Sequence, residues 1–306
     1  MAILAHPATS RRRRAVILCT PAVLLLGLVT ACTEPDTEPS ADPTPAALES
    51  PTDSPTPTES STPTDEPTEA PEGQEVSVYY MIDSRAGLRL IPERHDVAGE
   101  AVQGAVEEMI AGPDDPDYTS AWNPSTQVLG VTPGDTVVVD LSADARTANI
   151  GSQGAALMIQ QLVHTVTAAV GDETAGVLLL IDGEPAGELW GAVEWTQPVT
   201  RDDPLGVQYL TQIDVPREGA TTTSPVTVSG QAAAFEATVP WKVLDDSGAE
   251  VTSGSTMTSE GQTFAPYSFT VELEPGTYTI VVDEDDPSGG EGGPRMTDTR
   301  TVTVVE

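Results

Sequence analysis

A tract that cannot fold limits what this 306-residue chain can build. Residues 33–75 contain ten Pro, nine Thr and twelve acidic residues, and Leu48 is their only large apolar side chain. So little apolar surface cannot offset the conformational entropy that is lost on folding, so we expect a disordered acidic stalk over residues 32–75. Folded structure should begin near Val76, which leaves about 230 residues, enough for two domains.

A basic and then apolar segment precedes the stalk. Four consecutive arginines, residues 11–14, are followed by an apolar run over residues 15–29, by small residues and by Cys32. The run is shorter than the roughly 20 apolar residues that a membrane-spanning helix needs. This order is typical of a bacterial lipoprotein signal, which is cut before a Cys whose thiol is lipidated. We therefore predict a signal peptide over residues 1–31 and a lipid anchor at Cys32 that holds the protein on the extracytoplasmic face of the cell membrane. The alternative is that Cys32 is an ordinary residue of a discarded signal peptide.

The charge of the chain restricts its partners. All 48 acidic residues follow Cys32 but only nine of the 13 basic residues do, so the mature chain carries a formal charge of 9 − 48 = −39. Such a surface repels nucleic acid, and we exclude a nucleic-acid function. Because Cys19 leaves with the signal peptide, we expect no disulfide framework, thiolate metal site or thiol nucleophile.

In the rest of the chain, the pattern of apolar residues changes near residues 201–206. Before this point, short strand patterns alternate with two amphipathic helix patterns, over residues 97–111 with Asp96 as the N-cap and over residues 153–170. In the second helix, His164 lies opposite the apolar stripe, which predicts an exposed side chain. The pattern predicts an α+β domain over residues 76–203, an antiparallel sheet with two helices.

No helical stripe occurs after this boundary. About seven short runs of alternating polar and apolar residues follow one another at even spacing. This pattern predicts an all-β immunoglobulin-like sandwich over residues 207–306, without a disulfide.

Six segments of the first predicted domain are informative together: VYYMID (78–83), LRLIPER (88–94), MIAGP (109–113), VVVDLS (137–142), QLVHTVT (161–167) and IDGEPAGELWG (181–191). In this order they resemble the GerMN (sporulation and spore germination) domain. One departure lies at residues 114–124, where DDPDYTSAWNP stands in place of Gly-Leu-type residues.

The most specific segment of the second predicted domain is SPVTVSGQAAAFEATV, residues 224–239. Through this segment the domain resembles the immunoglobulin-like domain of bacterial spore germination. Together, the two resemblances imply non-catalytic modules of the cell envelope that bind other proteins.

Catalytic motifs are missing from the sequence. It contains no G-x-S-x-G, no H-E-x-x-H, no P-loop and no G-x-G-x-x-G that opens a helix. His95 lies beside Asp96, but nothing in the sequence places a nucleophile against it. We therefore predict that the protein is not an enzyme and needs no cofactor.

Two loop aromatics are candidates for partner binding. Trp122 lies near Tyr118 in a loop, and exposed aromatic side chains make good anchors for protein or glycan partners. The alternative is a loop that folds back over its own domain, since Trp is usually well buried.

An acidic segment is the weak candidate for a calcium site. Asp283, Asp285 and Asp286 are close in sequence, and calcium prefers oxygen ligands. The spacing of an EF-hand is absent, so an acidic turn between strands is favoured and no metal is predicted.

These observations predict a non-catalytic, lipid-anchored envelope protein that binds or scaffolds other extracytoplasmic proteins. Strand addition at an exposed sheet edge is the expected mode of contact. The alternative is a module that binds peptidoglycan or another wall glycan, with aromatic side chains stacked on sugars. A hydrolase with an unrecognised site is a third hypothesis.

Overall fold

The computed structural model describes residues 73–148, 150–288 and 290–306. The predicted signal peptide, Cys32 and the predicted stalk up to residue 72 lie outside these described residues. The first strand begins at Gln74, within the last residues predicted as stalk. We call residues 74–207 the α/β region and residues 211–305 the β region. The described residues of both regions belong to one compact unit.

The α/β region contains two long helices that contact strands of two sheets. Helix α1 contacts β1 and β3, and helix α2 contacts β1 and β5. Its elements in chain order are β1 (Gln74–Ile82), β2 (Arg89–Val97), α1 (Ala101–Ala111), β3 (Val128–Thr132), β4 (Thr136–Leu141), α2 (Ser152–Val170), β5 (Gly176–Ile181), β6 (Glu184–Pro185), β7 (Gly187–Leu189), β8 (Val193–Trp195) and the one-turn helix α3 (Pro204–Val207).

The strands of this region form an antiparallel pair, β1-β2, a four-stranded sheet of order β3-β4-β5-β6, and a short hairpin, β7-β8. Strands β4 and β5 are parallel, with α2 as the crossover between them, and the other pairs are antiparallel. The predicted α+β class is thereby confirmed.

The start of helix α1 differs from the prediction. Val97 still pairs with Gln74 in the β1-β2 ladder, so the helix begins at Ala101 rather than at Val97. The predicted N-cap is also wrong, because Glu100 occupies that position and the Asp96 carboxylate pairs with Arg217 instead. Long-range strand pairing outweighs the helical pattern here.

Helix α2 has almost its predicted bounds but a wider buried surface. Every residue of 157–167 is buried, including His164. The prediction that His164 is exposed was therefore wrong. Residues of the connection to the β region, among them Arg201 and Gln208, lie against the face that the sequence pattern left open.

The β region is a sandwich of two sheets, as predicted. One sheet has the order β10-β16-β15-β12-β13 and the other β14-β11-β9. Apolar residues of both, such as Val228 and Val243, share one core. Its strands are β9 (Thr211–Val215), β10 (Ala220–Thr223), β11 (Val226–Ala232), β12 (Thr238–Asp245), β13 (Glu250–Met257), β14 (Ala265–Val271), β15 (Gly276–Asp283) and β16 (Thr297–Val305).

The connection between the regions is itself paired with the α/β region. Gln208 forms a parallel bridge with Leu90 of β2, and the backbone N–H of Tyr209 donates to the Leu90 carbonyl at 2.7 Å. Within the described part of the chain, no helix has the length and apolar character that crossing a membrane would require.

Candidate functional site

Tyr118 and Trp122, predicted as exposed anchors for a partner, are both buried. Each is only 3% exposed. Trp122 packs edge-on against Trp190, with the ring centroids 5.6 Å apart. The prediction that these two side chains are exposed is therefore wrong. The loop of residues 114–124 folds back onto the molecule because its aromatic rings complete the core there.

This loop contributes Asp115 and Tyr118 to a buried ionic network between the two regions, and β16 contributes Asp298 and Arg300. Arg300 Nη1 on β16 lies 2.8 Å from Asp115 Oδ2 and 2.9 Å from Asp298 Oδ1. Arg300 Nη2 donates to the carbonyl oxygen of Ile213 at 2.8 Å. The three charged side chains are at most 2% exposed. Tyr118 Oη donates to Asp298 Oδ1 at 2.7 Å, so the loop is fastened to β16 by both an ion pair and a hydrogen bond.

Burial controls the charges in this network. Desolvation raises the pKa of Asp115 to about 6 and also raises the pKa of Asp298, because it disfavours the ionised carboxylate. Burial lowers the pKa of Arg300, but the neighbouring carboxylates outweigh it and the guanidinium stays charged. One cation thus serves two carboxylates. Removing one member of such a buried ionic network is strongly destabilising, even where the complete network adds little net stability.

Ion pairs at the surface flank the same junction. Arg217, in the turn after β9, pairs with Asp96 at 2.5 Å and with Glu75 at 2.8 Å. Arg94 of β2 also pairs with Glu75 and lies 3.7 Å from Asp214. Exposed pairs of this kind each contribute about 1 kcal/mol or less. All of these pairs except Arg94–Glu75, which lies within the α/β region, join the two regions.

A further surface pair connects Arg85 with Glu284, where Arg85 Nη2 donates to Glu284 Oε1 at 2.6 Å. Together with Arg94, Arg217 and Arg300, it brings four of the nine basic residues of the described chain to this junction. Nearly half of the basic residues that follow Cys32 therefore form ion pairs between the two regions.

Glu93 and His95 form a buried pair on β2 that supports the loop from the other side. His95 Nε2 lies 3.0 Å from Glu93 Oε2. Glu93 also accepts hydrogen bonds from the backbone N–H groups of Asp114 and Asp115, at 3.1 and 2.9 Å. Burial raises the pKa of Glu93 and lowers that of His95. Their mutual hydrogen bond and charge outweigh burial, together with the two backbone donors on Glu93 and the Glu108 carboxylate 3.6 Å from His95 Nδ1. The pKa of Glu93 is therefore lowered and that of His95 is raised.

The acidic segment after β15 is organised as a turn. Asp283 Oδ1 accepts a hydrogen bond from Thr297 Oγ1 at 2.7 Å, and Asp286 Oδ1 accepts from the backbone N–H and the hydroxyl of Ser288. Asp285 lies between them. Across residues 73–148, 150–288 and 290–306, no group of three or more His, Cys, Asp or Glu side chains is arranged to hold a metal ion.

A cleft of about 570 Å³ opens at the junction of the two regions. Buried polar side chains form the floor of this cleft, and side chains with carboxylates form its wall. Leu205 and Phe264 are apolar residues at its rim. The floor consists of Tyr79, His164, Gln208 and Gln212, and the carboxylates belong to Glu173, Asp202 and Asp203.

Hydrogen bonds determine which nitrogen of His164 carries the proton. Gln212 Nε2 donates to Gln208 Oε1 at 3.0 Å and to the Tyr209 carbonyl at 2.9 Å. Gln208 therefore presents its Nε2 to His164 Nδ1, at 3.4 Å. An amide NH₂ only donates, so Nδ1 is the acceptor and the proton of the neutral ring is on Nε2. His164 Nε2 is buried and has no hydrogen-bond partner.

Arg201 occupies the cleft wall with its donors already engaged. Its Nη1 pairs with Glu173 at 2.9 Å, its Nε donates to Thr167 Oγ1 at 2.7 Å, and its Nη2 donates to the His164 carbonyl at 3.1 Å. Its guanidinium lies 5.7 Å from the centroid of the Tyr79 ring. Burial and the nearby Arg201 charge lower the pKa of His164 to about 3, so the imidazole is neutral at ordinary pH.

The polar groups of the junction are engaged mainly with one another. Among the described residues, neither His95 nor His164 makes a ring hydrogen bond to a Ser, Thr or Cys side chain, which a nucleophile and base would require. The cleft was missed by sequence reasoning because its residues belong to five separate segments and match no motif. The sequence around Arg201 indicated only a boundary.

Two family models match the chain, one after the other. "Sporulation and spore germination" matches residues 77–187, and "Immunoglobulin-like domain of bacterial spore germination" matches residues 210–291. No curated protein matches the chain. Among solved structures, the tandem GerMN domains of the sporulation protein GerM from Bacillus subtilis are 16% identical, with a TM-score of 0.37 and 46% of this chain covered. The chain spans half the length of that protein. CopC from Methylosinus trichosporium OB3b is also 16% identical, with a TM-score of 0.24, and the match covers 31% of this chain and 91% of that one.

Proposed function

Because the chain carries a sporulation and spore germination domain followed by the immunoglobulin-like domain of bacterial spore germination, we propose that it is a non-catalytic, lipid-anchored scaffold of the cell envelope. The observation that carries the proposal is the buried network of Arg300, Asp115, Asp298 and Tyr118, which joins the two regions. A scaffold must hold its binding surfaces in a fixed relation. A fully buried ion pair between domains is a costly contact to break and favours one arrangement.

The absence of catalysis is supported by the state of the histidines. His164 is neutral, and its Nδ1 accepts from Gln208. His95 is paired with Glu93 inside the protein. Neither ring is arranged with an activated nucleophile in the described structure, so binding is the function that these groups serve best.

The edge of the five-stranded sheet is the surface proposed for protein partners. Strand β13 is the last strand of that sheet and, among the described strands, is hydrogen-bonded only to β12. Val251 and Met257 on this strand are 50% and 66% exposed. An unpaired edge with exposed apolar side chains favours the addition of a partner strand.

The test is capture of envelope proteins by the full-length tagged protein. The double variant Val251→Lys/Met257→Lys places charge on the open edge and should lose the captured proteins, since Lys discourages edge pairing. Val305→Lys is the matched control, because Val305 is 41% exposed but lies on β16, which is paired on both sides. Equal capture by all three proteins would refute the edge as the docking surface.

Membrane anchoring has a separate test. Cys32→Ala should abolish labelling with a radioactive fatty acid and move the protein out of the membrane fraction, because the thiol is the proposed site of lipidation. A variant that keeps both the label and its membrane association would show that Cys32 is not the anchor.

A further inference from the structure

We propose that strand β13 pairs with β13 of a second copy of this chain, antiparallel and about a twofold axis at Gly254. This pairing deepens the proposed scaffold function, because it names a partner for the same edge, and it rests on that edge being open to strand addition. Three observations support it: the symmetry of the strand's sequence, the direction of its free backbone groups and the lack of protection along its edge.

The sequence of β13 is nearly the same when it is read in either direction. Residues 251–257 are VTSGSTM, with Gly254 at the centre. Two antiparallel copies centred on Gly254 therefore place similar side chains opposite one another. The opposed pairs are Gly254 with Gly254, Ser253 with Ser255, Thr252 with Thr256, and Val251 with Met257. A twofold dimer requires a surface that is complementary to itself, and this strand has that property.

The backbone groups that the pairing needs are directed to the free edge. The backbone N–H of Thr258 donates to the Ala237 carbonyl at 2.9 Å, and hydrogen-bonded pairs alternate along an antiparallel ladder. The even-numbered residues of 252–258 therefore bond to β12, whereas Ser253 and Ser255 direct their N–H and C=O groups away from it. The twofold pairing sets these two serines opposite each other as hydrogen-bonded pairs. Both serines are exposed.

The opposed side chains gain contacts without a charge conflict. Val251 and Met257 are 50% and 66% exposed in the single chain, and each covers the other at the two ends of the dimer ladder. β13 leaves its regular register with β12 beyond Thr252, so the dimer ladder proper spans residues 252–256, where Thr–Thr pairs across strands are favourable. Glu250 is the charged residue of β13 and lies outside the paired stretch. In a chain with a formal charge of −35, a neutral strand is where two copies can meet without repulsion.

Other edges of the sandwich are protected, whereas β13 is not. At β9, Asp298 Oδ2 accepts from the backbone N–H of Ile213 at 2.6 Å and Arg300 donates to the Ile213 carbonyl at 2.8 Å, so side chains occupy that edge. Strand β14, the opposite edge of the same sheet, carries Pro266, which has no N–H. Strand β13 contains neither Pro nor Lys, the residues that commonly prevent edge pairing. Six of its eight residues are exposed, so an approaching strand can reach it.

Recovery of an untagged copy by a tagged copy tests the pairing, with both full-length chains expressed together and solubilised in detergent. Ser255→Pro in both copies removes the N–H that faces the partner strand but no hydrogen bond to β12, and it should lower recovery about tenfold. Ser255→Ala keeps the N–H and should be recovered as the wild type is. Val251→Lys/Met257→Lys should also lower recovery, whereas Val305→Lys, on a strand that is paired on both sides, should not. Thermal unfolding shows whether each variant is folded.

Cysteine cross-linking tests the register of the pairing. In a chain with Cys19→Ser and Cys32→Ala, introduced cysteines carry the only thiols. Opposed residues of a hydrogen-bonded antiparallel pair have Cα atoms about 5.5 Å apart, which suits a disulfide. A mixture of Ser253→Cys and Ser255→Cys chains should therefore form a disulfide-linked dimer on mild oxidation, much faster than either variant alone. Thr303→Cys, exposed on β16, is the control and should stay monomeric.

The pairing is wrong if the tagged copy recovers no untagged copy, or if folded Ser255→Pro is recovered as well as the wild type. It is also wrong if Ser253→Cys alone forms the dimer as fast as the mixture, because the axis then lies elsewhere. These failures leave the scaffold function standing where Val251→Lys/Met257→Lys still abolishes capture of other envelope proteins. Conversely, self-association in a protein that captures no other envelope protein supports the pairing and contradicts the wider scaffold function.

Discussion

Tyr118 Oη donates a hydrogen bond of 2.7 Å to Asp298 Oδ1, and the two residues lie 180 positions apart in the chain. Asp298 also accepts from the backbone N–H of Ile213 at 2.6 Å and pairs with Arg300. The carboxylate thus receives a donor from each region and from its own strand. The loop of residues 114–124 supplies one of these donors and is thereby held at the junction.

Removing the cation of this network should destabilise the whole protein. Arg300→Met leaves Asp115 and Asp298 buried without their partner, and we expect a loss of about 3–5 kcal/mol in the free energy of unfolding. Tyr118→Phe removes one hydrogen bond to a charged acceptor and should cost about 1.5–3 kcal/mol. Urea unfolding measures both. The control Arg295→Met changes an exposed arginine and should stay within about 0.5 kcal/mol. Equal effects of Arg295→Met and Arg300→Met would contradict the role of the network.

The pair of His95 and Glu93 should make stability depend on pH near neutrality. The folded-state pKa of His95 is raised above its usual 6.5, so the folded protein keeps a proton that the unfolded chain loses. This contribution is complete below about pH 6.5 and is lost as the pH rises through the folded-state pKa. NMR titration of the His95 ring should show its pKa above 6.5. In Glu93→Gln the pKa of His95 should fall, because the carboxylate 3.0 Å from Nε2 is lost while burial remains and only the more distant Glu108 carboxylate, 3.6 Å from Nδ1, still favours the charged ring. An unchanged pKa in that variant would rule out Glu93 as the cause.

His164 should have the opposite pH dependence. The folded-state pKa of His164 is lowered to about 3. Between pH 6.5 and pH 3, the unfolded chain therefore binds a proton at His164 that the folded protein does not bind. The contribution is complete above about pH 6.5 and is lost as the pH falls toward 3, by on the order of 5 kcal/mol. His164→Leu should show a smaller loss of stability than the wild type between pH 6.5 and pH 4. If the two proteins lose stability in parallel over this range, His164 is not the group responsible.

The local sequence pattern was enough to predict the helices and strands but not the contacts that their residues make. The apolar stripe of α2 predicted residues 153–170, and the helix spans Ser152–Val170. The same stripe gave the wrong exposure for His164, because the segment that covers its other face lies about 40 residues later. Tyr118 and Asp96 were misjudged for the same reason: their partners, Asp298 and Arg217, are more than 100 residues away. Periodicity reports which face meets a core, whereas contacts across the junction leave no periodic signal.

Substitution of Gly230, in the sandwich, should also affect the cleft. A Cβ atom at Gly230 would lie 1.9 Å from the Gln212 carbonyl oxygen, which already accepts from Tyr267 Oη at 3.0 Å. Because that oxygen belongs to the backbone of β9, Gly230→Ala must push the strand away, and we expect destabilisation of about 3 kcal/mol. Displacing Gln212 should also disturb the proton position on His164, visible in its ¹⁵N spectrum. Gly130→Ala is the matched control, since Gly130 is also a strand glycine but has no atom within 4 Å of the added carbon. Thermal unfolding of the two variants decides the point, and equal melting temperatures would show that β9 can move aside without cost.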